Sequence, residues 1–210
     1  FPHGFHVDAD GNIWVTDHGV DPPNDKGQQV FKFSTDGQVL LTLGRAGVSG
    51  SGQYTFNQPS DVVVAASGEI FVADGHGSAT NARIVKYAAD GTFIRAWGRH
   101  GAAPDELEGP HSLALDSQNR LFVADRTNNR IQIFDQDGTL LDSWTQFGRP
   151  SGLAIDQNDI LYVADSESRD NDGGYGHNPE VRRGIRIGSA VDGTVTGFIP
   201  DPAERGGTSG

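Results

Sequence analysis

The sequence predicts an all-β protein of the propeller type with four consecutive blades. A short motif recurs four times along the 210 residues, and an Asp-Gly pair follows each copy. Asp-Gly is a strong signal for a two-residue hairpin turn. Glycine is frequent, with 29 residues, which suits many short strands joined by tight turns. Units of about 40 to 50 residues with four strands each are typical of propeller blades.

The recurring motif begins with a proline and two further residues, followed by a stretch in which apolar residues alternate with others. A turn and a second apolar run follow, and the run ends at an aspartate. The four copies run from Pro2 to Asp17, from Pro59 to Asp74, from Pro110 to Asp125 and from Pro150 to Asp165. The Asp-Gly turns begin at Asp36, Asp90, Asp137 and Asp192. We therefore expect one propeller domain over residues 1–210, with blades at about 1–47, 56–101, 107–148 and 149–202.

The third copy shows the expected strands most clearly. They lie at roughly residues 112–116, 120–124, 130–135 and 139–144. Val, Ile, Phe, Leu and Trp dominate these stretches, as half-buried strands require. We also expect polar contacts within blades, between Asp74 and Arg83 and between Asp125 and Arg130.

Four blades do not close such a ring comfortably, so we expect a six-bladed ring. Residues 203–210 would then lead into a further blade, and two blades would lie outside this chain. The chain has no methionine, even at position 1, so we expect a processed or incomplete N-terminus that has lost any signal peptide. A secreted or periplasmic location is favoured. Residues 166–184, rich in Asp, Asn and Gly, predict a surface loop of the kind that builds sites.

The composition argues against several classes of protein. A formal net charge of −12 repels phosphate backbones, so nucleic-acid binding is disfavoured. Ten prolines and a mean hydropathy of −0.45 leave no apolar run long enough to cross a bilayer, so we expect no membrane insertion. There is no cysteine, which excludes disulfides and thiolate metal sites. The oligomeric state is not determined by these features.

The residue after each opening proline carries the functional signal. It is histidine in the first and third copies, His3 and His111, and serine in the second and fourth, Ser60 and Ser151. The inner strand of each blade begins at the central channel, so histidines in alternate blades of a six-bladed ring would converge on the axis. Three imidazoles with an open fourth position form a catalytic zinc site. This chain supplies two of the three imidazoles at that position of the repeat. Alternatively, both histidines are polar residues that line the channel.

Residues 122–132, Phe-Val-Ala-Asp-Arg-Thr-Asn-Asn-Arg-Ile-Gln, resemble the NHL repeat. The first 150 residues or so also resemble the peptidyl-α-hydroxyglycine α-amidating lyases. The residues that carry this second resemblance are Pro2-His3-Gly4, 10–17, Gln58-Pro59-Ser60-Asp61-Val62, 70–75, 110–115 and Ala124-Asp125-Arg126. The resemblance implies a six-bladed propeller with an axial zinc held by three histidines, which cleaves a carbinolamide C–N bond to a peptide amide and glyoxylate. By the resemblance, His3 and His111 match two zinc ligands, Arg126 matches an active-site arginine, and the third ligand belongs to the last blade.

The chain departs from that family at the position of a catalytic tyrosine. Asp74-Gly75 is followed here by His76, and three extra residues precede Asn81. His76 is a substituted base, a replacement metal ligand or a loop residue, since imidazole serves in either chemical role near neutral pH. His18 and Arg126 occupy the same register after their own aspartates. The three side chains therefore predict one polar rim around a substrate mouth.

The remaining histidines and one acidic loop carry weaker signals. We expect His6 to be structural, and His100 and His177 to be solvated in Gly-rich loops. The run Asp170-Asn171-Asp172-Gly173 resembles a calcium loop but lacks the acidic residue that an EF-hand has at its twelfth position. Zinc is therefore the expected cofactor, and a structural calcium ion is the lesser expectation.

Three functions are compatible with these features. The first is a metal-dependent, lyase-like NHL propeller that cleaves a carbinolamide C–N bond in a small-molecule or peptide substrate bound at the central channel. The second is a non-catalytic NHL propeller that binds a protein or peptide. The third is a metal-dependent hydrolase on a six-bladed propeller. The fold alone does not choose among them.

Overall fold

A computed structural model describes residues 1–21, 23 and 25–205 of the chain. These residues form four antiparallel sheets of four strands, and the strands of each sheet follow one another in chain order. This arrangement confirms the predicted all-β fold with four blades. Residues 206–210 of the predicted lead-in lie outside the described residues. No helix in the described ranges has the length and apolar character to span a bilayer.

The four sheets follow one another along the chain. The strands of the first two sheets are β1 (Pro2–Val7), β2 (Ile13–Asp21), β3 (Lys26–Phe33), β4 (Val39–Gly44), β5 (Pro59–Val64), β6 (Ile70–Asp74), β7 (Arg83–Tyr87) and β8 (Phe93–Trp97). The strands of the last two are β9 (Pro110–Leu115), β10 (Leu121–Asp125), β11 (Arg130–Phe134), β12 (Leu140–Trp144), β13 (Gly152–Ile155), β14 (Ile160–Asp165), β15 (Gly184–Ser189) and β16 (Val195–Pro200). Short 3-10 turns follow β10 and β16, at Arg126–Asn128 and Pro202–Arg205.

The described chain divides into two compact units, Phe1–Leu113 and Ala114–Gly210. Each unit has its own apolar core, as expected for strands that bury one or both faces. The core of the first unit consists of Trp14, Val30, Leu43, Phe56, Val62, Ile70, Val72, Val85 and Tyr87. The core of the second consists of Ala114, Phe122, Ile131, Ile133, Trp144, Phe147, Leu161, Val163 and Ala190. The expectation of one domain over residues 1–210 stays a prediction.

A buried aspartate closes the second strand of several blades. In the second blade, Asp74 Oδ2 lies 2.8 Å from Arg83 Nε, and in the third, Asp125 Oδ2 lies 2.7 Å from Arg130 Nε. Both predicted pairs are therefore formed. The Asp125 carboxylate also accepts hydrogen bonds from Asn128 Nδ2 at 2.9 Å and Gln132 Nε2 at 3.2 Å. Each such carboxylate thus joins β-strands and the turn between them from a position shielded from water.

We predict that Asp125→Ala lowers the free energy of unfolding by about 3–5 kcal/mol, because it leaves the partly buried Arg130 guanidinium without its carboxylate. Urea denaturation followed by tryptophan fluorescence measures this loss. The control is Asp10→Ala, since Asp10 is exposed in a turn and its removal should change stability by less than about 0.5 kcal/mol. Equal losses for the two variants would contradict the structural role of Asp125.

Candidate metal centre

Three histidines of the first unit come together from three different segments. His3 lies on β1, His111 on β9, and His76 in the loop that follows β6. The ring centre of His3 lies 4.7 Å from those of His76 and His111, and the latter two centres are 4.9 Å apart. One ligand atom from each histidine lies within 4.8 Å of the others. The third imidazole of the group is therefore that of His76, from within this chain, and its role as base, ligand or loop residue stays a prediction.

The three rings fit a small tetrahedral ion. Imidazole nitrogens bound to zinc at about 2.0–2.1 Å place three ring centres roughly 5 Å apart, close to the separations observed here. All three side chains are half-buried, so none of them is shielded entirely from solvent. Imidazole nitrogen suits zinc, copper, iron and nickel rather than calcium or magnesium. Over residues 1–21, 23 and 25–205, no other set of three metal-binding side chains comes together in this way.

A fourth imidazole, that of His18, lies beside the group without belonging to it. Its ring centre is 4.9 Å from that of His3 and 5.1 Å from that of His76. Its Nδ1 lies 3.0 Å from the backbone carbonyl oxygen of Phe1. His18 and His76 therefore share one rim, as the register after the aspartates predicts.

A backbone carbonyl fixes the orientation of His3. Its Nδ1 lies 2.7 Å from the carbonyl oxygen of Ser60, which only accepts hydrogen bonds, so Nδ1 carries the proton. The lone pair of the neutral ring is then on Nε2, the nitrogen available to a metal. Metal-bound histidines characteristically donate their other N–H to a carbonyl or carboxylate in this way. The same carbonyl accepts a bond from Thr16 Oγ1 at 3.2 Å.

The loop that carries His76 is fixed at both ends. Gly75 has a φ of +137°, and a side chain there would overlap the carbonyl oxygen of Asn81, so this position requires glycine. The backbone N–H groups of Gly75 and His76 both donate to the carbonyl oxygen of Gln58 at 3.1 Å. At the far end, Asn81 Nδ2 donates to Asp74 Oδ2 at 2.7 Å. Residues 75–81 thus form a tethered loop that brings His76 to the cluster.

A buried glutamine links the segments of His18 and His76. Gln28 Nε2 donates to the carbonyl oxygen of His18 at 3.2 Å, and Gln28 Oε1 accepts from the N–H of Gln58 at 2.6 Å. Gln58 in turn holds the backbone of His76. Gln28 is fully buried and has a φ of +63°, so its backbone is strained in order to place this amide. No sequence motif indicates this role.

Asp61 is a buried carboxylate on β5 that contacts the segments before and after its own strand. Its Oδ1 accepts from the N–H of Val62 at 2.9 Å, and its Oδ2 accepts from Ser112 Oγ at 2.9 Å and the N–H of Leu113 at 2.8 Å. Burial raises the pKa of the Asp61 carboxyl to about 6, against the lowering effect of these three bonds. The carboxylate is therefore ionised at neutral pH but at a cost to stability.

Arg126 lies in the second unit, where its charge is paired. Its Nη1 lies 3.2 Å from Glu167 Oε1, and the other oxygen of Glu167 lies 3.1 Å from Arg149 Nε. Tyr175 also donates its hydroxyl proton to Glu167. Burial opposes ionisation of Glu167, but the bond from Tyr175 and the two guanidinium groups outweigh it, and the pKa of Glu167 is lowered. Burial lowers the pKa of Arg126.

The insertion after β14 supplies Glu167 and Tyr175, so it contributes to a polar cluster, as its composition indicates. Nothing in the repeat pattern indicates that Arg149 belongs to this cluster. The membership of Arg126 in the rim formed by His18 and His76 stays a prediction.

The other histidines lie outside the cluster. His177 is exposed, and its Nδ1 contacts the carbonyl oxygen of Asn171 at 2.7 Å. His100 is exposed but bonded on both ring nitrogens, to Glu108 Oε2 at 3.0 Å and to the carbonyl oxygen of Thr80 at 2.6 Å. The hydrogen bond to Glu108 is the main cause that raises the pKa of His100. Burial lowers the pKa of His6.

Comparison with known families agrees with the repeat pattern. The NHL repeat model matches residues 56–87, 107–134 and 147–169, which begin just before the second, third and fourth copies of the motif. The chain contains NHL repeats. Each matched segment covers the inner two strands of a blade or more.

Relatives of these NHL repeats include enzymes of peptide amidation. The chain is 45% identical over 145 residues to the mouse protein named "Peptidyl-glycine alpha-amidating monooxygenase", covering 65% of this chain and 14% of that protein. It is 36% identical over 173 residues to a Caenorhabditis elegans protein named "Probable peptidyl-alpha-hydroxyglycine alpha-amidating lyase", covering 79% of this chain and 46% of that protein. Mouse "NHL repeat-containing protein 3" is 36% identical over 149 residues, 68% of this chain and 42% of that protein. The chain thus spans less than half the length of these three relatives.

Solved structures show the same fold at lower identity. A gluconolactonase from Xanthomonas campestris superimposes with a TM-score of 0.65 and 22% identity, over 96% of this chain and 63% of that one. Likeness at this identity supports the fold of the NHL chain and carries no argument about its reaction.

We predict that the destabilisation caused by Asp61→Asn shrinks by about 2 kcal/mol between pH 4 and pH 7. The folded pKa of about 6 lies above the unfolded value of about 3.9, so neutral Asp61 stabilises the fold at low pH. The wild type loses that stabilisation as the pH rises through 6. The variant does not, because asparagine has no ionisable group, so the difference in stability between the two proteins becomes smaller. Urea denaturation of both proteins across this pH range measures the difference.

Asp8→Asn is the matched control, because the pKa of Asp8 is shifted in the opposite direction from that of Asp61. Burial opposes ionisation of Asp8, but bonds from Trp14, Asn12 and Lys32 outweigh it, so its pKa is far below the usual range. Its contribution is present above about pH 4 and is lost as the pH falls further. A pH-independent effect of Asp61→Asn would refute the raised pKa.

Proposed function

We propose that this chain is part of a metal-dependent lyase of the NHL propeller type, which cleaves the carbinolamide C–N bond of a peptidyl-α-hydroxyglycine. The observation that carries the proposal is the group formed by His3, His76 and His111. The relatives named as amidating enzymes, one of them as a lyase, also support this proposal. The substrate is a small molecule or peptide that enters beside the histidines. The predicted secreted or periplasmic location is part of the same proposal.

The metal in this proposal is zinc, held by His3, His76 and His111. Zinc held by these residues would supply Lewis-acid chemistry toward a substrate oxygen. In this arrangement His76 acts as a ligand, replacing a histidine that the resemblance assigns to the last blade. It then no longer serves as the base that a catalytic tyrosine would be.

The reaction requires one proton to leave and one to arrive. The hydroxyl of the carbinolamide gives up its proton as its oxygen becomes the aldehyde oxygen of glyoxylate. The C–N bond breaks, its electron pair goes to the amide nitrogen, and that nitrogen takes up a proton. A single neutral imidazole beside the ligands can carry out both transfers in turn.

His18 is the residue we assign to proton transfer. In the tautomer that donates from Nδ1 to the Phe1 carbonyl oxygen, Nε2 keeps the lone pair that a base requires. Its ring lies against His3 and His76 but outside the ligand group. Arg126, by the resemblance, balances negative charge that develops on the substrate.

We predict that the chain binds one zinc ion and that His3→Ala, His76→Ala or His111→Ala weakens binding more than about 100-fold. Changes in groups that only orient ligands cost 10- to 100-fold in affinity, so loss of a ligand costs more. Competition titration with a chromogenic chelator measures the affinity. His177→Ala is the control, because His177 is exposed in the insertion. Unchanged affinity in the His76 variant would remove that residue from the centre.

We further predict that the full propeller releases glyoxylate from a peptidyl-α-hydroxyglycine and that His18→Gln lowers kcat with little change in zinc content. A coupled assay with glyoxylate reductase measures the product. If zinc binds but no glyoxylate forms, the proposed reaction is wrong and the binding-scaffold function is favoured. Cleavage of lactones or esters instead would favour the hydrolase function.

A further inference from the structure

The dipeptide Ser60-Asp61 occupies a distinctive position in the repeat. It follows Pro59 at the start of β5, in the register where the first copy has His3-Gly4 and the third has His111-Ser112. The second copy therefore offers no imidazole at this point. Instead, both of its residues are buried and bonded to the strands that carry the two histidines.

Toward β1, the contact is made by the backbone of Ser60. Its carbonyl oxygen accepts the proton of His3 Nδ1 at 2.7 Å and that of Thr16 Oγ1 at 3.2 Å. The buried Thr16 hydroxyl also accepts from the N–H of Gly4 at 2.7 Å. Ser60 and Thr16 thus hold both the imidazole of His3 and the backbone of the next residue.

Toward β9, the contacts are made by side chains. Ser60 Oγ donates to the carbonyl oxygen of Pro110 at 2.5 Å. The Asp61 carboxylate accepts from Ser112 Oγ at 2.9 Å and from the N–H of Leu113 at 2.8 Å. The residues on both sides of His111 are therefore bonded to the same dipeptide.

The packing around Asp61 leaves little freedom for adjustment. A Cβ atom built on Gly4 would lie 2.6 Å from Asp61 Cα and from Asp61 Oδ1, so the backbone of β1 touches β5 directly. Asp61 is 8% exposed, and Ser60 is fully buried. Buried, saturated polar networks of this kind hold a single geometry, because any shift leaves a polar group without its bond.

We propose that Ser60 and Asp61 are positioning residues for the metal centre, fixing the tautomer of His3 and its spacing from His111. The role in metal binding rests on the proposed function. The alternation of histidine and serine along the repeat then has a physical reason. The intervening blade supplies the second layer of contacts for ligands on the blades before and after it, as metal sites generally require.

The first test needs no metal. Long-range 1H–15N correlation spectra of the apo protein at about pH 8, where imidazoles are neutral, report the tautomer of each ring. The His3 signals are assigned by their loss in His3→Gln. We expect the Nδ1–H tautomer for His3 in the wild type, and a mixture of tautomers in Asp61→Asn, whose amide cannot accept from all three donors. A wild-type His3 in the Nε2–H form, or an Asp61→Asn spectrum identical to wild type, would overturn the proposal.

The second test measures metal affinity with Co²⁺, whose visible absorption reports a tetrahedral site. We expect Ser60→Ala and Asp61→Asn each to weaken Co²⁺ binding about 10- to 100-fold and to shift the absorption band. Asp8→Asn is the matched control, since Asp8 is also a hydrogen-bonded carboxylate with only 6% of its side chain exposed, but its bonds stay within the first blade. Asp8→Asn should leave both affinity and band unchanged.

The outcomes separate this proposal from the proposed function. If the wild type binds no Co²⁺ or Zn²⁺, the metal-dependent lyase is wrong, and the tautomer spectra alone decide the role of Ser60 and Asp61. If the wild type binds Co²⁺ and both variants bind it equally well with the same band, the positioning role is wrong. If Asp61→Asn fails to fold, Ser60→Ala decides, because it keeps the carbonyl that bonds His3 and removes only the hydroxyl, with its contacts to the carbonyl oxygens of Pro110 and Ala73.

Discussion

The candidate site depends on the close approach of the inner strands β1 and β5. Gly4 lies against Asp61 with no room for a side chain, and this contact brings the Ser60 carbonyl within hydrogen-bonding distance of His3. Any larger residue at position 4 would separate the strands and remove the bond that sets the protonated nitrogen of His3. Backbone contact between neighbouring strands is therefore what converts a repeated motif into a defined cluster of imidazoles.

The periodic part of the molecule was predictable from sequence, because its causes are local. Alternating apolar residues and Asp-Gly turns repeat in each blade, and the strands of the third sheet fall close to the predicted ranges. The pairing of His3 with His111 was also predictable, since both occupy one register of the repeat. The sequence indicates His76 as a candidate ligand but does not show that it lies beside His3 and His111. Its position depends on the path of a loop, which is set by Gly75, Gln58 and Asn81.

The supporting residues were harder to predict for a related physical reason. Gln28 and Asp61 each accept a hydrogen bond from a backbone N–H of the next blade, that of Gln58 and that of Leu113, and such bonds leave no spacing pattern in the sequence. One feature of the sequence does distinguish Asp61: it is acidic at a position of the repeat where the other copies have glycine or serine. In the second unit, Glu167 balances Arg126 and Arg149 from within an insertion, where the repeat gives no register to compare.

Asp74 links the stability of the second blade to the geometry of the histidine group formed by His3, His76 and His111. The same carboxylate pairs with Arg83 inside the blade and holds Asn81 at the end of the loop that carries His76. A substitution that changes how firmly this blade holds together also changes where one imidazole lies. Blade stability and the spacing of the three imidazoles would then not evolve independently in this protein, because selection on either one acts on the other through a single side chain.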